Sequence, residues 1–556
     1  MADSVIEAVS RAGNSHISRF RSVLATACAA LTVAATASAR SITGVSLTQS
    51  SGGEKRVNVA IEAGVSGDDH ALYLAFDNAD KGADISSWAA FQRVGRIGAT
   101  AISASAVVSP LAAGSHTLFA ALDNVLEWST QKLALPYYDF YLYGGFYHGV
   151  KMVFDNRKLF VRTRDYKTGT VEIEAVNFAK GDFDATLVFD GAKEVKTSFR
   201  NFRATVRVPD FKLWSPASPN LHTVSLGGAV TARFGIREIK AEKKRLWLNG
   251  EILFLKGANR HEAHPQFGAA TPEALMVQDI QLMKSLNGNF FRGCHYQQSQ
   301  RFLDYCDEMG VLVWEESLGW GNNASQMSDP EYFRLQVEQT RAMVRASFNH
   351  PSVIIFAFQN ENASQTKEGK KMNDALIEAI RSQDSGRLVT FACNHNADDI
   401  SNANTDLISF NTYPGWIGSN AGTFENQKKL IDAAVTKIVT RYRKLYPEKP
   451  IIVSEMGTTA IYGYHDPAAG QGTEEFQLYY NKDVLDRIFA DPEMAGLTFW
   501  HFADARTYHR DGSNIRSKLL AENMAGIYDG YRRAKIVTVA VKEGFARAAA
   551  GERPAE

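Results

Sequence analysis

The chain has 556 residues, 45% of them apolar and 22% charged, with 61 basic and 61 acidic side chains. That length exceeds what one hydrophobic core supports, so several globular domains are expected. The formal net charge of zero gives no electrostatic basis for a nucleic-acid partner or for binding to an acidic membrane surface.

In chain order, residues 1–39 come first. Arg19 and Arg21 precede a small apolar run from Val23 to Ala35, and Ala37-Ser38-Ala39 offers an A-x-A cleavage site. This is the layout of a secretory signal peptide and implies a secreted or periplasmic protein; an alanine-rich leader without that role is the competing reading. The run is too short for a membrane span, and no later stretch reaches the required length. Residues 40–135 form a small β-rich module. Its strand candidates are Val57–Ile61, Ala71–Phe76 and Thr117–Leu122, separated by Gly, Ser, Asp and Asn clusters. No catalytic constellation occurs in it, which leaves a binding or spacer role.

Residues 136–238 read as a second β domain. Leu159–Thr163 and Val171–Val176 alternate as half-buried strands do, and Leu213-Trp214-Ser215-Pro216 is a turn with apolar anchors. About 100 residues of this pattern fit an immunoglobulin-like sandwich.

From 239 to 550 apolar runs alternate with helix patterns. Eight strand candidates are 252–256, 289–292, 311–315, 353–358, 388–392, 407–411, 451–455 and 497–501. Thr271-Pro272 and Asp329-Pro330 each give a helix cap followed by a proline at the first helical position. Met276, Ile280, Met283 and Leu286 recur on one helix face. Eight such β/α repeats predict a (β/α)₈ barrel, so the fold class is multidomain: β-sandwich modules, then a TIM barrel. Of the four cysteines, Cys28, Cys294, Cys306 and Cys393, the last three are expected as buried thiols, because the spacing suits neither a metal site nor a disulfide framework.

Polar and aromatic groups gather after every barrel strand. In order they are Asn259-Arg260-His261-Glu262, Arg292 with His295-Tyr296, Glu315-Glu316 with Trp320, Asn360-Glu361, Asn394-His395, Asn411-Thr412-Tyr413, Glu455, and Trp500-His501. A lone histidine after a strand is structural more often than not; eight such groups at one barrel face point to a site. Glu361 and Glu455 each end a buried strand, and two carboxyl groups are the equipment of glycoside hydrolysis. If they stand about 5–5.5 Å apart, the reaction retains configuration through a covalent intermediate. Asn360 is expected at the sugar 2-OH, Arg292 and Tyr413 at Glu455, Trp500 as a flat wall for the sugar ring, and His261 and His295 at hydroxyls. The residues themselves leave open which Glu is the acid.

These segments resemble glycoside hydrolase family 2, the β-galactosidase and β-glucuronidase group. Gly257-Ala258-Asn259-Arg260-His261-Glu262-Ala263-His264-Pro265 is similar to its G-V-N-R-H-E-x-H-P, in the β-galactosidase version. Arg292 with His295-Tyr296 is similar to R-x-S-H-Y-P, although Gly293-Cys294 and Gln297 depart from it. Asn349-His350-Pro351-Ser352 through Asn360-Glu361 matches the acid/base signature, Ile451-Ile452-Val453-Ser454-Glu455 the nucleophile strand, and Trp500-His501-Phe502-Ala503-Asp504 the W-N-F-A-D segment. The resemblance covers roughly residues 136 to 545. It implies Glu361 as acid/base, Glu455 as nucleophile, and Asn360, Tyr413, His261, His295, Arg292 and Trp500 around the terminal sugar.

Three departures qualify the resemblance. Only the last strand of the family's opening jelly roll, Tyr138 to Val153, is recognisable, so the pocket is expected to be incomplete or remade by residues 41–135. Ser317-Leu318-Gly319-Trp320-Gly321 lacks the E-x-H of the large β-galactosidases, so no metal and no cofactor are expected. Asn523-Met524-Ala525-Gly526 has Ala525 where the N-x-K-G of β-glucuronidases has its lysine, yet Arg506, Arg510 and Arg516 lie just upstream, either as a carboxylate clamp or as a solvated basic loop. The leading expectation is a retaining exo-β-glycosidase of β-galactosidase type acting on an oligosaccharide or glycoconjugate. A β-uronidase using Arg506 or Arg510, and a catalytically inactive carbohydrate-binding protein, are the alternatives. The sequence leaves the oligomeric state open.

Overall fold

The structure, a computed structural model, describes seven strands by their backbone between residues 41 and 153. It also describes residues 157–549, except 229, 397, 417–423 and 508–521. The expected leader and Cys28 lie outside the described residues. The described chain divides into two compact units near residue 157.

The N-terminal unit holds β1 (Ser41–Gln49), β2 (Lys55–Glu62), β3 (His70–Phe76), β4 (Gln92–Ile97), β5 (Ser103–Val108), β6 (Ser115–Leu122) and β7 (Val150–Val153). They form two antiparallel sheets, β1-β2-β5 and β4-β3-β6-β7. The runs predicted from sequence are β2, β3 and β6. β7 pairs with β6, placing Ser115 opposite Val153 and Leu118 opposite Val150, so this unit extends past the expected boundary at residue 135. A pairing between strands so distant in the chain leaves no local sequence signal.

The second unit opens with a two-sheet sandwich. β8 (Lys158–Asp165), β9 (Thr170–Val176) and β12 (Arg203–Arg207) make one sheet. β10 (Phe183–Phe189), β11 (Lys193–Phe199), His222–Leu226 and Val230–Phe234 make the other. Strict alternation sends Val171, Ile173 and Ala175 of β9 inward, where they meet Leu187, Phe189, Phe199, Val224 and Phe234 from the facing sheet.

A parallel eight-stranded sheet follows: Leu255–Arg260, Phe290–Gly293, Leu312–Trp320, Val353–Asn360, Leu388–Thr390, Ile408–Asn411, Ile451–Met456 and Met494–Phe499. The last strand pairs with the first, and a bridge between Cys393 and Phe410 links the fifth to the sixth, closing the barrel. The first strand begins three residues later than expected. Glu251–Leu253 instead joins Ile239–Glu242 and Arg245–Leu248 in a small antiparallel sheet.

The helices follow their start signals unevenly. Asp329 caps Pro330–Ala346 by accepting from the amides of Glu331 and Tyr332. Thr271 does not cap Glu273–Ser285; Pro272 occupies the cap position, with no side-chain bond there. The predicted face of that helix holds, since Met276, Ile280, Met283 and Leu286 are all buried. Among its described residues the fifth repeat shows a 3₁₀ turn at Asn402–Asn404 in place of the helix the eightfold pattern predicts. Its segment is rich in Asn and Asp that bond locally: Asn402 donates to Asp399, and Thr405 to the Asn402 carbonyl. Cys294, Cys306 and Cys393 are buried free thiols, as expected. No helix among the described residues is long and apolar enough to cross a membrane.

Arg237 and Trp214 are among the side chains that join sandwich to barrel. The Arg237 guanidinium donates to the carbonyls of Pro351, Val353 and Gly386. The buried Trp214 indole donates to the Asp307 carbonyl at 2.8 Å and packs on Leu312 and Trp314 at the barrel floor. Removing that ring leaves a cavity and an unsatisfied carbonyl. Trp214→Ala is therefore expected to cost about 3–5 kcal/mol in urea unfolding, and a loss below about 1 kcal/mol would contradict this junction.

Candidate active site

Parallel strands place every residue that ends a barrel strand at the same rim, so side chains far apart in sequence meet there. The meeting point is Arg292, at the end of the second strand, with no exposure to solvent. Its Nη1 donates to Asn259 Oδ1 at 2.8 Å and to Glu455 Oε1 at 2.5 Å. Its Nη2 donates to Glu316 Oε2 at 2.8 Å and to Asn360 Oδ1 at 2.8 Å. Burial disfavours the charged guanidinium, but the carboxylates of Glu316 and Glu455 outweigh it and hold its pKa above the ordinary value.

Glu455, on the seventh strand, accepts from Arg292 on one oxygen and from the Tyr413 hydroxyl on the other. Burial, then the charges of Glu455 and Glu361, keep the Tyr413 phenol well above its usual pKa, so it stays a donor. Gly457, two residues beyond, has no room for a side chain: a Cβ there would stand 2.1 Å from the Trp500 carbonyl oxygen. The absent side chain lets the seventh and eighth strand ends close up beside the carboxylate.

Glu361 follows the fourth strand with φ at 52°, a left-handed conformation uncommon for a residue with a side chain. Its backbone amide is held by the Ala392 carbonyl at 2.9 Å. Among the described residues, the partly exposed carboxyl receives one bond, 2.8 Å from Asn411 Nδ2. Burial, then the nearby Glu455 charge, pushes its pKa up to about 7. Among the described residues the two carboxyl groups thus sit in unlike settings: Glu455 takes a guanidinium and a phenol, Glu361 a side-chain amide.

His261, His295 and Trp500 make an aromatic wall. The Trp500 ring stacks on His295 at 5.5 Å and meets His261 edge-on at 5.5 Å. Burial, aided by Arg292, lowers the His295 pKa to about 3; burial and then His295 hold His261 well below its ordinary value, so both imidazoles are neutral. Trp500 also packs against Cys294 and Ala525, with Tyr413 and Trp416 alongside. The structure therefore gathers Asn360, Glu361, Glu455, Arg292, Tyr413, His261, His295 and Trp500.

The arginine loop is resolved differently. Arg506 is exposed, in a two-residue ladder that sets it opposite Glu522, with Ala505 opposite Asn523. Arg510 and Arg516 lie outside the described residues. Asn523 Nδ2 is buried and has no hydrogen-bond partner among the described residues, and neither does Asn360 Nδ2. Sequence reasoning assigned no role to Asn259, Glu316 or Asn411. Each stood in the polar clusters that end the first, third and sixth strands, which was the available signal.

The family model for glycosyl hydrolases family 2, TIM barrel domain, matches residues 239–535. Similar sequences include a β-glucuronidase of Mus musculus, 29% identical over 383 residues, covering 66% of this chain and 57% of the relative. Another is a β-glucuronidase of Paenibacillus borealis, 28% identical over 434 residues, covering 69% and 71%. The chain spans between about half and two thirds of the length of the mammalian relatives it matches. Among solved structures, a GH2 β-galacturonidase from Eisenbergiella tayi bound to galacturonate aligns over 89% of both chains with TM-score 0.65 and 26% identity. A β-D-glucuronidase from Dictyoglomus thermophilum shares the fold at TM-score 0.64 and 21% identity, over 88% of this chain and 90% of that one.

Glu361 titrates near its ordinary 4.5 in the unfolded chain and near 7 in the folded one. Between those values the native state holds the extra proton, so this group's contribution to stability falls as pH rises through that window. Glu361→Gln removes the titration. Its stability is expected to decline less than the parent's between pH 5 and pH 8, measured by urea unfolding at each pH; parallel pH curves would contradict the raised pKa.

Proposed function

The chain belongs to glycosyl hydrolases family 2, and from that premise we propose that it is a retaining exo-β-glycosidase that removes a terminal β-linked uronic acid. Glu361 is the acid/base and Glu455 the nucleophile. The observation that carries the mechanism is the unlike setting of the two carboxyls. One is held by a guanidinium and a phenol, and the other has a pKa raised to about 7. Glu361 gives its proton to the glycosidic oxygen while a Glu455 oxygen bonds to the anomeric carbon and the leaving group departs. Glu361 then takes a proton from water as that water displaces Glu455, restoring both groups. The buried Asn360 Nδ2, without a partner among the described residues, is the donor for the sugar 2-OH.

The relatives bear on the sugar. They are β-glucuronidases by sequence and include a β-galacturonidase by structure, which favours a uronide over the β-galactoside expected from sequence. With Ala525 buried against Trp500 and Cys294 where a lysine would have stood, the substrate carboxylate needs other partners. Asn523 Nδ2 and the arginines upstream, Arg506 among those described, are the donors proposed. The intact arrangement around Glu455 speaks against an inactive binding protein.

Turnover on nitrophenyl β-glucuronide, β-galacturonide and β-galactoside, measured side by side, tests this reading. A site with donors placed for a carboxylate is expected to favour one of the uronides by at least about 100-fold in kcat/KM. Preference for the galactoside would restore the β-galactosidase reading, and no cleavage of any would favour the binding protein.

A further inference from the structure

The segment that resembles R-x-S-H-Y-P has Cys294 in place of its serine, and the change puts a thiol between two imidazoles. The ligating atoms of His261, Cys294 and His295 all lie within 4.8 Å of one another, and the three residues are buried. The His261 and His295 rings stand 5.5 Å apart at 83°, so their edges converge rather than stack. His295 Nδ1 lies 3.1 Å from Glu316 Oε1, while its Nε2 lies 4.0 Å from Glu455 Oε1. A carboxylate behind the far nitrogen of an imidazole is the support that orients metal-binding histidines. Two imidazoles, a thiolate and a carboxylate are a donor set for Zn²⁺ or Co²⁺, and a poor one for Mg²⁺ or Ca²⁺. The other such grouping among the described residues, Asp304, Asp307 and His350, is only partly buried and contains no thiol.

We propose that His261, Cys294 and His295 bind a thiophilic divalent cation, Zn²⁺ or Co²⁺, with Glu455 as fourth ligand, and that the bound ion blocks the site. On binding, the Cys294 thiol releases its proton to solvent as the sulfur–metal bond forms, with no change of oxidation state. The ion takes the Glu455 oxygen that would bond to the anomeric carbon. The blocking half of the proposal rests on Glu455 being the nucleophile; the binding half does not.

Titration of the full-length protein with Co²⁺ reads the site directly, through the thiolate-to-cobalt charge-transfer band. About one equivalent should develop the band, Zn²⁺ should displace it, and Cys294→Ser should lose it while keeping the parent's unfolding temperature. Cys306→Ser, which changes another buried thiol, should retain it. No band, or an equal band in Cys294→Ser, would overturn the site whether or not the enzyme is active. On a cleaved glycoside, Zn²⁺ should inhibit competitively with substrate, and at least about tenfold more weakly in Cys294→Ser. Stoichiometric binding with undiminished turnover would overturn the capture of Glu455.

Discussion

Arg292 carries a positive charge into a place with no solvent exposure, where two carboxylates and two amide oxygens receive it. Desolvating such an ion costs several kcal/mol, and only close, well-aligned acceptors offset that. The acceptors come from Asn259, Glu316, Asn360 and Glu455, which lie on the first, third, fourth and seventh strands. Together with the second strand's own Arg292, the contact therefore ties five barrel strands to one point. A cation held this way fixes the position of Glu455 more tightly than packing alone, because any shift leaves charge uncompensated in a dry interior.

The rest of the site is an elaboration of that constraint. Asn360 gives its oxygen to Arg292 and to Asn411, which leaves its amide nitrogen for a ligand. Asn411 bridges onward to Glu361, so the Glu361 carboxyl is positioned through the same network that holds Glu455. Burial, beside a guanidinium, also keeps the His261 and His295 imidazoles neutral. Further out, Asp279 accepts from both Arg260 and Arg532, binding the first strand's end to the loop after the eighth.

Much of this was legible in the sequence because a buried parallel strand is a continuous apolar run, and the polar residue that stops it marks the rim where the site gathers. Glu361, Glu455, Arg292 and Tyr413 were found in that way. Register was less legible: Glu251–Leu253 looks like the start of the first barrel strand, yet it pairs with its own hairpin. The distant β6–β7 pairing depends on partners outside the local pattern, whereas in the fifth repeat local Asn and Asp bonds stand in place of a helix among the described residues, and Thr271 leaves the cap position to Pro272. Glu316, Asn259 and Asn411 carry no mark that separates them from other polar strand ends, and only their contacts with Arg292 and Glu361 reveal what they do. The preference among sugars was the least legible, because one departure, Ala525, removes the expected donor without naming its replacement.

The central claim is that Arg292 and Tyr413 hold Glu455 to form a covalent bond with the sugar. The most direct measurement is intact-mass and peptide mapping after incubation with a 2-deoxy-2-fluoro-β-uronosyl fluoride, whose electron-withdrawing fluorine slows release of the intermediate. The account predicts one added fluorosugar per chain, on the peptide that contains Glu455. Full conversion of the reagent without an adduct, or an adduct on Glu361, would contradict it.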